Sequence, residues 1–259
     1  MKVPILVPRI FNYPLTYESG SLKNLKPGEF VSVPFGKVTE IGVVWDKIEK
    51  TTKNFKLKKI DKKLSHLQIN PNLIGFINWF ASYNLISKGI VLKMFLGNKS
   101  NLTKIEENKS SEIIAISKDF KLNIEQKKSF NDLKSYGNKF SVSMLQGITG
   151  SGKTLVYFER IREVLNIGSQ VLILLPEIFL TNQFKERFIK HFGFIPAVWH
   201  PKIGVKAKRK IWQGIINKNV NLVIGARSSL LLPFKKLGLI VVDEEHDSSY
   251  KQDEGAIYH

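Results

Sequence analysis

Gly147-Ile148-Thr149-Gly150-Ser151-Gly152-Lys153-Thr154 decides how the rest of this 259-residue chain is read. The run fits G-x-x-x-x-G-K-[ST], the phosphate-binding loop, at every fixed position. Gly147 and Gly152 let the backbone curl until successive N–H groups point inward at phosphate oxygens. Ile148, Thr149, Gly150 and Ser151 complete that cradle. Lys153 supplies a mobile positive charge for β- and γ-phosphates, and the Thr154 hydroxyl offers one Mg2+ position. Thr154 also opens a helix whose N-terminal dipole favours the same anion. The alternation at 140–145 predicts a strand before the loop, and Leu155, Val156, Phe158, Ile161, Val164 and Leu165 follow at helical spacing. Strand, loop and helix in that order are the context the motif requires.

Downstream, residues 171–175, 220–224 and 239–242 are continuous β-branched or leucine runs, as in strands buried on both faces. Helical stretches around 179–192 and 207–216 lie between them. That alternation predicts an α/β fold with a parallel sheet. The last run ends in Asp243-Glu244-Glu245-His246, 89 residues after Thr154. An Asp at a strand tip can hold Mg2+, completing the metal site begun by Thr154. Glu244 is placed to orient and deprotonate an attacking water. Lys153, Asp243 and Glu244 are therefore the candidate catalytic residues, and His246 is expected to link nucleotide to the rest of the site.

Upstream, residues 1–50 predict an all-β region. Short apolar runs at 3–7, 30–33 and 41–45 are separated by Pro27-Gly28 and Pro34-Phe35-Gly36-Lys37 turns. Eight lysines between Lys47 and Lys63 suggest a solvated connector. Residues 71–95 predict helix, with Leu73, Ile74, Ile77, Phe80 and Ala81 on one stripe and a break at Gly89. Trp79 and Tyr83 are expected to pack rather than to stack on bases. The polar stretch 97–121 is the best domain boundary.

The chain has no cysteine, which removes disulfides, thiol chemistry and cysteine-held zinc. Its 40 Lys+Arg against 22 Asp+Glu give a net charge of +18, which favours a polyanionic partner such as nucleic acid. No apolar run approaches the roughly 18 residues of a membrane span, and the N-terminus lacks a signal-peptide core, so a cytoplasmic protein is expected.

Several stretches together resemble one family. Asp243-Glu-Glu-His-Asp-Ser-Ser-Tyr250-Lys251-Gln252 is similar to the region following the second helicase motif of the bacterial primosomal (PriA) family, the replication-restart DNA helicases of superfamily 2. Residues 122–126, ending in Gln126, resemble the family's segment before the phosphate loop, where a glutamine can read the adenine edge. The run 174–181 resembles its motif Ia. Gly225-Ala-Arg227-Ser228-Ser229 resembles a strand-binding segment, and Trp199, His200, Arg209 and Trp212 recur at the family's spacing. Phe11-Asn12-Tyr13 and Val33-Pro-Phe-Gly36-Lys37 resemble a small β domain that holds the 3′ end of a nascent strand. The likeness covers essentially the whole chain.

The resemblance implies a small β-rich, barrel-like DNA-binding domain with trailing helices at 1–96 and a linker at 97–117. An incomplete RecA-like helicase lobe would occupy 118–259. Phe11, Asn12, Tyr13, Gly36, Lys37, Arg227, Ser228, Tyr250 and Lys251 would contact DNA, at forks, 3′ ends and single strands. ATP and Mg2+ would be the cofactors. Primosome proteins and single-stranded-DNA-binding protein would be partners. The chain departs from the family in three ways. Asn12 stands where an Asp is usual, the linker is too short for a winged-helix domain, and the chain ends at His259. The second lobe, its arginine finger and the zinc-binding cysteines would lie beyond that end, so a fragment unable to unwind alone is expected. The alternative is a non-catalytic, structure-specific DNA-binding module with a relic nucleotide site, which DNA-stimulated ATP hydrolysis would exclude.

Overall fold

The computed structural model describes residues 1–47, 56–104, 121–136, 139–148, 150–176 and 182–251. Its amino-terminal part is an antiparallel sheet of β1 (Lys2–Leu6), β2 (Leu15–Glu18), β3 (Glu29–Phe35), β4 (Val38–Val44) and β5 (Lys62–Gln68), in the order β2-β1-β4-β3-β5. β3 and β4 form a hairpin in which Phe35 pairs with Val38, so only Gly36 and Lys37 turn the chain. Gly36 has φ +60°, in the left-handed region that tight hairpin turns demand. At the far side Glu18 of β2 donates to the Lys58 carbonyl (2.9 Å) and accepts from the Ile60 N–H (2.9 Å). Those two bonds join β2 to the chain entering β5 and give the sheet its barrel-like closure.

Alternation along the strands fills two cores. Val3, Ile5, Val7, Tyr17, Val31, Val33 and Val44 pack inside the curved sheet. Leu6, Phe30, Val43 and Trp45 point the other way, onto α1 (Pro71–Tyr83) and α2 (Lys88–Leu96). Asn70 caps α1 by accepting from the Asn72 N–H at 2.9 Å, with Pro71 at the first helical position. The helical region breaks between residues 83 and 88, where Leu85 takes φ +55°, and not at Gly89. Gly89 lies inside the first turn of α2 for another reason. Its N–H donates to the Phe11 carbonyl (2.9 Å), and a Cβ there would stand 2.0 Å from the Arg9 carbonyl oxygen. The expected connector at 47–63 is also revised: Ile60 is buried and β5 starts at Lys62, while 48–55 lie outside the described residues.

A 3-10 turn at Lys99–Leu102 follows α2, and the linker residues 105–120 lie outside the described residues. Then come α3 (Ile124–Ser135), α4 (Lys153–Asn166), β6 (Gln170–Leu174), α5 (Asn182–Phe192), β7 (Ala197–Trp199), α6 (Val205–Ile216), β8 (Leu222–Gly225) and β9 (Leu237–Val242). The four strands form a parallel sheet ordered β7-β8-β6-β9, the expected α/β architecture. Val171, Ile173 and Ile224 bury one sheet face under Phe158, Ile161 and Phe188 of α4 and α5. Leu172, Leu174 and Val223 bury the other face under Trp212 and Ile215 of α6, in the same cluster as Phe30 and Phe95. One apolar core thus runs from the first sheet into the second.

The strand predicted at 140–145 is not formed. Residues 140–148 are extended, and Phe140, Val142 and Met144 are 95%, 85% and 79% exposed. The alternation is real, but among the described residues the sheet ends at β9. No neighbouring strand offers the segment a ladder.

Candidate nucleotide and DNA sites

The phosphate loop leads directly into α4, whose first residue is Lys153. Gly152 caps the helix at φ +85°, and a Cβ there would sit 2.3 Å from the Gln126 amide nitrogen. Gln126 comes so close because α3 begins with a capping box. Asn123 Oδ1 accepts from the Gln126 N–H (2.8 Å), and Gln126 Oε1 accepts from the Asn123 N–H (3.0 Å). The Gln126 amide then donates to the Ser151 carbonyl at 2.9 Å. The glutamine expected at the adenine therefore braces the loop that would hold the phosphates. Lys153 Nζ donates to the Gly147 carbonyl (2.6 Å) and the Ile148 carbonyl (3.4 Å), folded into the cradle of its own loop. Thr149 lies outside the described residues.

Asp243 stands at the tip of β9, where its N–H donates to the Leu174 carbonyl (3.1 Å). The Tyr157 hydroxyl donates to Asp243 Oδ2 at 2.9 Å, and the Glu244 N–H donates to Oδ1 at 3.2 Å. The Tyr250 hydroxyl donates to the Asp243 backbone carbonyl at 2.7 Å. Thr154 lies three residues before Tyr157, on the same face of α4. Burial, then the Asp243 charge, drives the Tyr157 phenol well above its usual range. Burial and Asp243, in that order, also push Tyr250 up. Glu244 takes φ +51°, a conformation costing an L-residue about 1–2 kcal/mol, so this carboxylate leaves the strand at a sharp corner. Its Oε2 lies 3.7 Å from His246 Nε2. A hydroxyl and a carboxylate are hard oxygen donors, the set that suits Mg2+, and the Tyr157 phenol that bonds Asp243 shares a face of α4 with Thr154.

Arg227 lies just past β8, at the start of a 3-10 turn. Its Nη1 donates to the Ser249 carbonyl (3.1 Å) and to the Lys251 carbonyl, tying this corner to the loop after β9. Ser228 beside it is exposed, and Gln252 is outside the described residues.

In the amino-terminal sheet, Phe11 stands edge-on to Tyr13 (5.9 Å) and to Phe35 (5.8 Å). Asn12 is exposed between the two aromatics, and the Gly36-Lys37 turn follows Phe35. Lys58 Nζ donates to the Gly36 carbonyl at 3.3 Å. Sequence reasoning missed the support beneath them. Arg9 Nε and Nη2 both donate to Glu40 Oε2 (2.9 and 2.5 Å), and Lys99 reaches Oε1 at 3.1 Å. The Arg9 guanidinium also lies 5.9 Å over the Phe35 ring. Burial alone would raise the Glu40 pKa, but the bonds from Arg9 and Lys99 outweigh it and hold the carboxyl below the usual range. The signal available was a lone carboxylate amid apolar β4. Trp79 and Tyr83 do not pack inside, as expected, but stack on each other at the surface (5.3 Å, 21°), 55% and 74% exposed.

The four-stranded parallel sheet with its flanking helices is the architecture of a RecA-like helicase lobe. Residues 123–259, just over half of the chain, match the DEAD/DEAH box helicase family model. Residues 2–97 match the model of the PriA 3′ DNA-binding domain. Replication restart protein PriA of Rickettsia felis is 39% identical over 257 residues, covering 98% of this chain and 39% of that protein. The Helicobacter pylori J99 protein of the same name is 36% identical over 250 residues, covering 95% of this chain and 37% of its own length. The Bacillus subtilis one is 43% identical over 137 residues, covering 52% and 17%. The chain belongs to the PriA family of DEAD/DEAH box helicases, and spans about two-fifths of the length of the Rickettsia relative it matches. Among the described residues no helix is long and apolar enough to cross a membrane.

Proposed function

We propose that this chain supplies the DNA 3′-end-binding domain and the ATP-binding lobe of a 3′→5′ DNA helicase that restarts replication at stalled forks. The observation that carries the nucleotide part is the 2.9 Å bond from the Tyr157 hydroxyl to Asp243 Oδ2, which brings the strand-tip carboxylate to the helix face that also carries Thr154. Lys153 swings from the loop carbonyls to the β- and γ-phosphates, and the backbone of 147–152 wraps them. Thr154 and Asp243 hold Mg2+, which when bound draws charge from the phosphates. Glu244 takes the proton of the attacking water. Gln126 lies beside the loop, bonded to the Ser151 carbonyl, and would read the adenine edge.

In the other part, Phe11 and Tyr13 provide a wall for a terminal base, Asn12 bonds the 3′-hydroxyl, and Gly36 and Lys37 approach the phosphate. Arg227, Ser228, Tyr250 and Lys251 link the translocated strand to the acidic corner. Replication-restart proteins and single-stranded-DNA-binding protein are the partners this role implies. The test is ATP binding by the whole chain and by Lys153→Ala, in Mg2+ buffer. Removing the only cation of the loop should abolish binding while leaving the unfolding temperature unchanged. Equal binding by the two proteins would refute the assignment.

A further inference from the structure

We infer that Tyr157 is a positioning residue for the metal-binding pair, fixing the Asp243 carboxylate against Thr154. This rests on the nucleotide site proposed above. Tyr157 lies four residues after Lys153 and three after Thr154, one turn into α4 and on the helix face of the phosphate loop. Its side chain is 7% exposed, with the ring 5.3 Å edge-on to Phe158. Phenylalanine would serve that packing equally well. The hydroxyl is what a purely apolar stripe would not need, and a buried hydroxyl must find partners. It donates at 2.9 Å to Oδ2 of Asp243, one of the two residues that would hold Mg2+, and the other, Thr154, lies three residues earlier on the same face of α4.

Asp243 arrives on β9 and Thr154 on α4, so nothing in the local chain sets their separation. Each Asp243 oxygen receives one donor, Tyr157 on Oδ2 and the Glu244 N–H on Oδ1. A carboxylate has about four lone-pair sites, so two remain for a cation. Without the phenol, the side chain keeps only the donor from its own neighbour and can rotate away from Thr154. Tyr157 thereby acts on metal affinity and not on the phosphates, which Lys153 and the loop backbone hold.

The experiment uses the whole chain, with ATP binding measured calorimetrically in EDTA and across a Mg2+ titration. Tyr157→Phe should match the parent in EDTA. The Mg2+ concentration giving half of the affinity gain should rise about tenfold, the scale of one lost hydrogen bond to a charged group. Asp243→Asn removes the group Tyr157 acts through, so adding Tyr157→Phe to it should change the Mg2+ response no further. Equal Mg2+ curves for parent and Tyr157→Phe would overturn the inference alone. So would an affinity loss identical in EDTA and Mg2+, or full additivity with Asp243→Asn. A parent whose ATP binding ignores Mg2+ would instead overturn the metal site, and this inference with it.

Discussion

The indole N–H of Trp212 donates a 2.9 Å hydrogen bond to the carbonyl of Phe95. Phe95 lies in the last turn of α2, where carbonyls have no intrahelical donor, and Trp212 lies on α6, 117 residues away. The same indole stands edge-on to Phe30 of β3, centroids 6.5 Å apart, and is 1% exposed. Beside it Gln213 donates to the Asn101 and Thr103 carbonyls (2.7 and 2.6 Å). The amino-terminal sheet with its helices and the parallel-sheet lobe are therefore fastened through α6.

Trp212→Ala should cost about 3–5 kcal/mol, as expected for emptying a buried aromatic site. Trp212→Phe should cost about 1–3 kcal/mol, because it leaves the Phe95 carbonyl buried without its donor. Urea unfolding followed separately through the amino-terminal sheet and the lobe should show one shared transition moving to lower urea. Two independent transitions, with only the lobe shifted, would contradict the shared core.

His191 should make the fold acid-sensitive. It is 3% exposed, and burial first, then Arg162, pushes its pKa down to about 4, against about 6.5 in an unfolded chain. Glu159 Oε1 lies 3.4 Å from its Nε2 and pulls the other way. Arg162 already offsets that carboxylate, so burial wins. Between pH 6.5 and 4 the unfolded state takes up the proton and the folded state does not, so acid favours unfolding. The loss is absent above pH 6.5, grows as the pH falls, and levels off below pH 4 on the order of 3 kcal/mol. His191→Leu should lose less stability than the parent between pH 7 and 5 in urea titrations. Parallel pH profiles would remove His191 from the account.

Legibility in the sequence followed burial. The runs of β6 and β8 are continuous because helices cover both faces of the sheet there, and such runs have few alternatives. The run of β9 reads the same way, but among the described residues it is an edge strand with Ile240 and Val242 43% and 46% exposed, so burial on both faces does not hold for it. β5 was hidden because it reads Lys-Lys-Leu-Ser-His-Leu-Gln, with only Leu64 and Leu67 buried. It pairs with β3 across a register shift that spoils the period of two. The segment 140–145 had the right period and no partner strand. Asn123-x-x-Gln126 carried a capping-box signature that sequence reasoning passed over. Tyr157 could not be separated from the apolar stripe of α4, since only the fold brings Asp243 to it. The left-handed backbone of Glu244 leaves no trace in residue type.

The proposed 3′-end contact gives the sharpest test of Asn12. A terminal base needs an aromatic wall, and Phe11, packed edge-on against Phe35 and Tyr13, is the ring proposed for it. Phe11→Ala should then cost about 1–3 kcal/mol of binding to a fork with a free 3′ end. The 3′-hydroxyl needs a hydrogen-bond partner, and Asn12 can donate or accept. A neutral amide bonds a hydroxyl less strongly than an ionised carboxylate would, so the preference for a free end should be real but small. Asn12→Asp should widen it. The whole chain is the proper reagent, because residues 1–96 alone would lose the Trp212 donor and one wall of their core. Replacing the 3′-hydroxyl by phosphate should weaken binding by the parent and not by Asn12→Ala. The lysine-rich surface works against this contrast, since phosphate contacts bind blocked and free ends alike and fade steeply with salt. The end preference should therefore become more visible as salt is raised and total affinity falls. Superimposable titrations of blocked and free forks at both low and high salt would reduce the Phe11–Asn12–Tyr13 corner to a general grip on DNA.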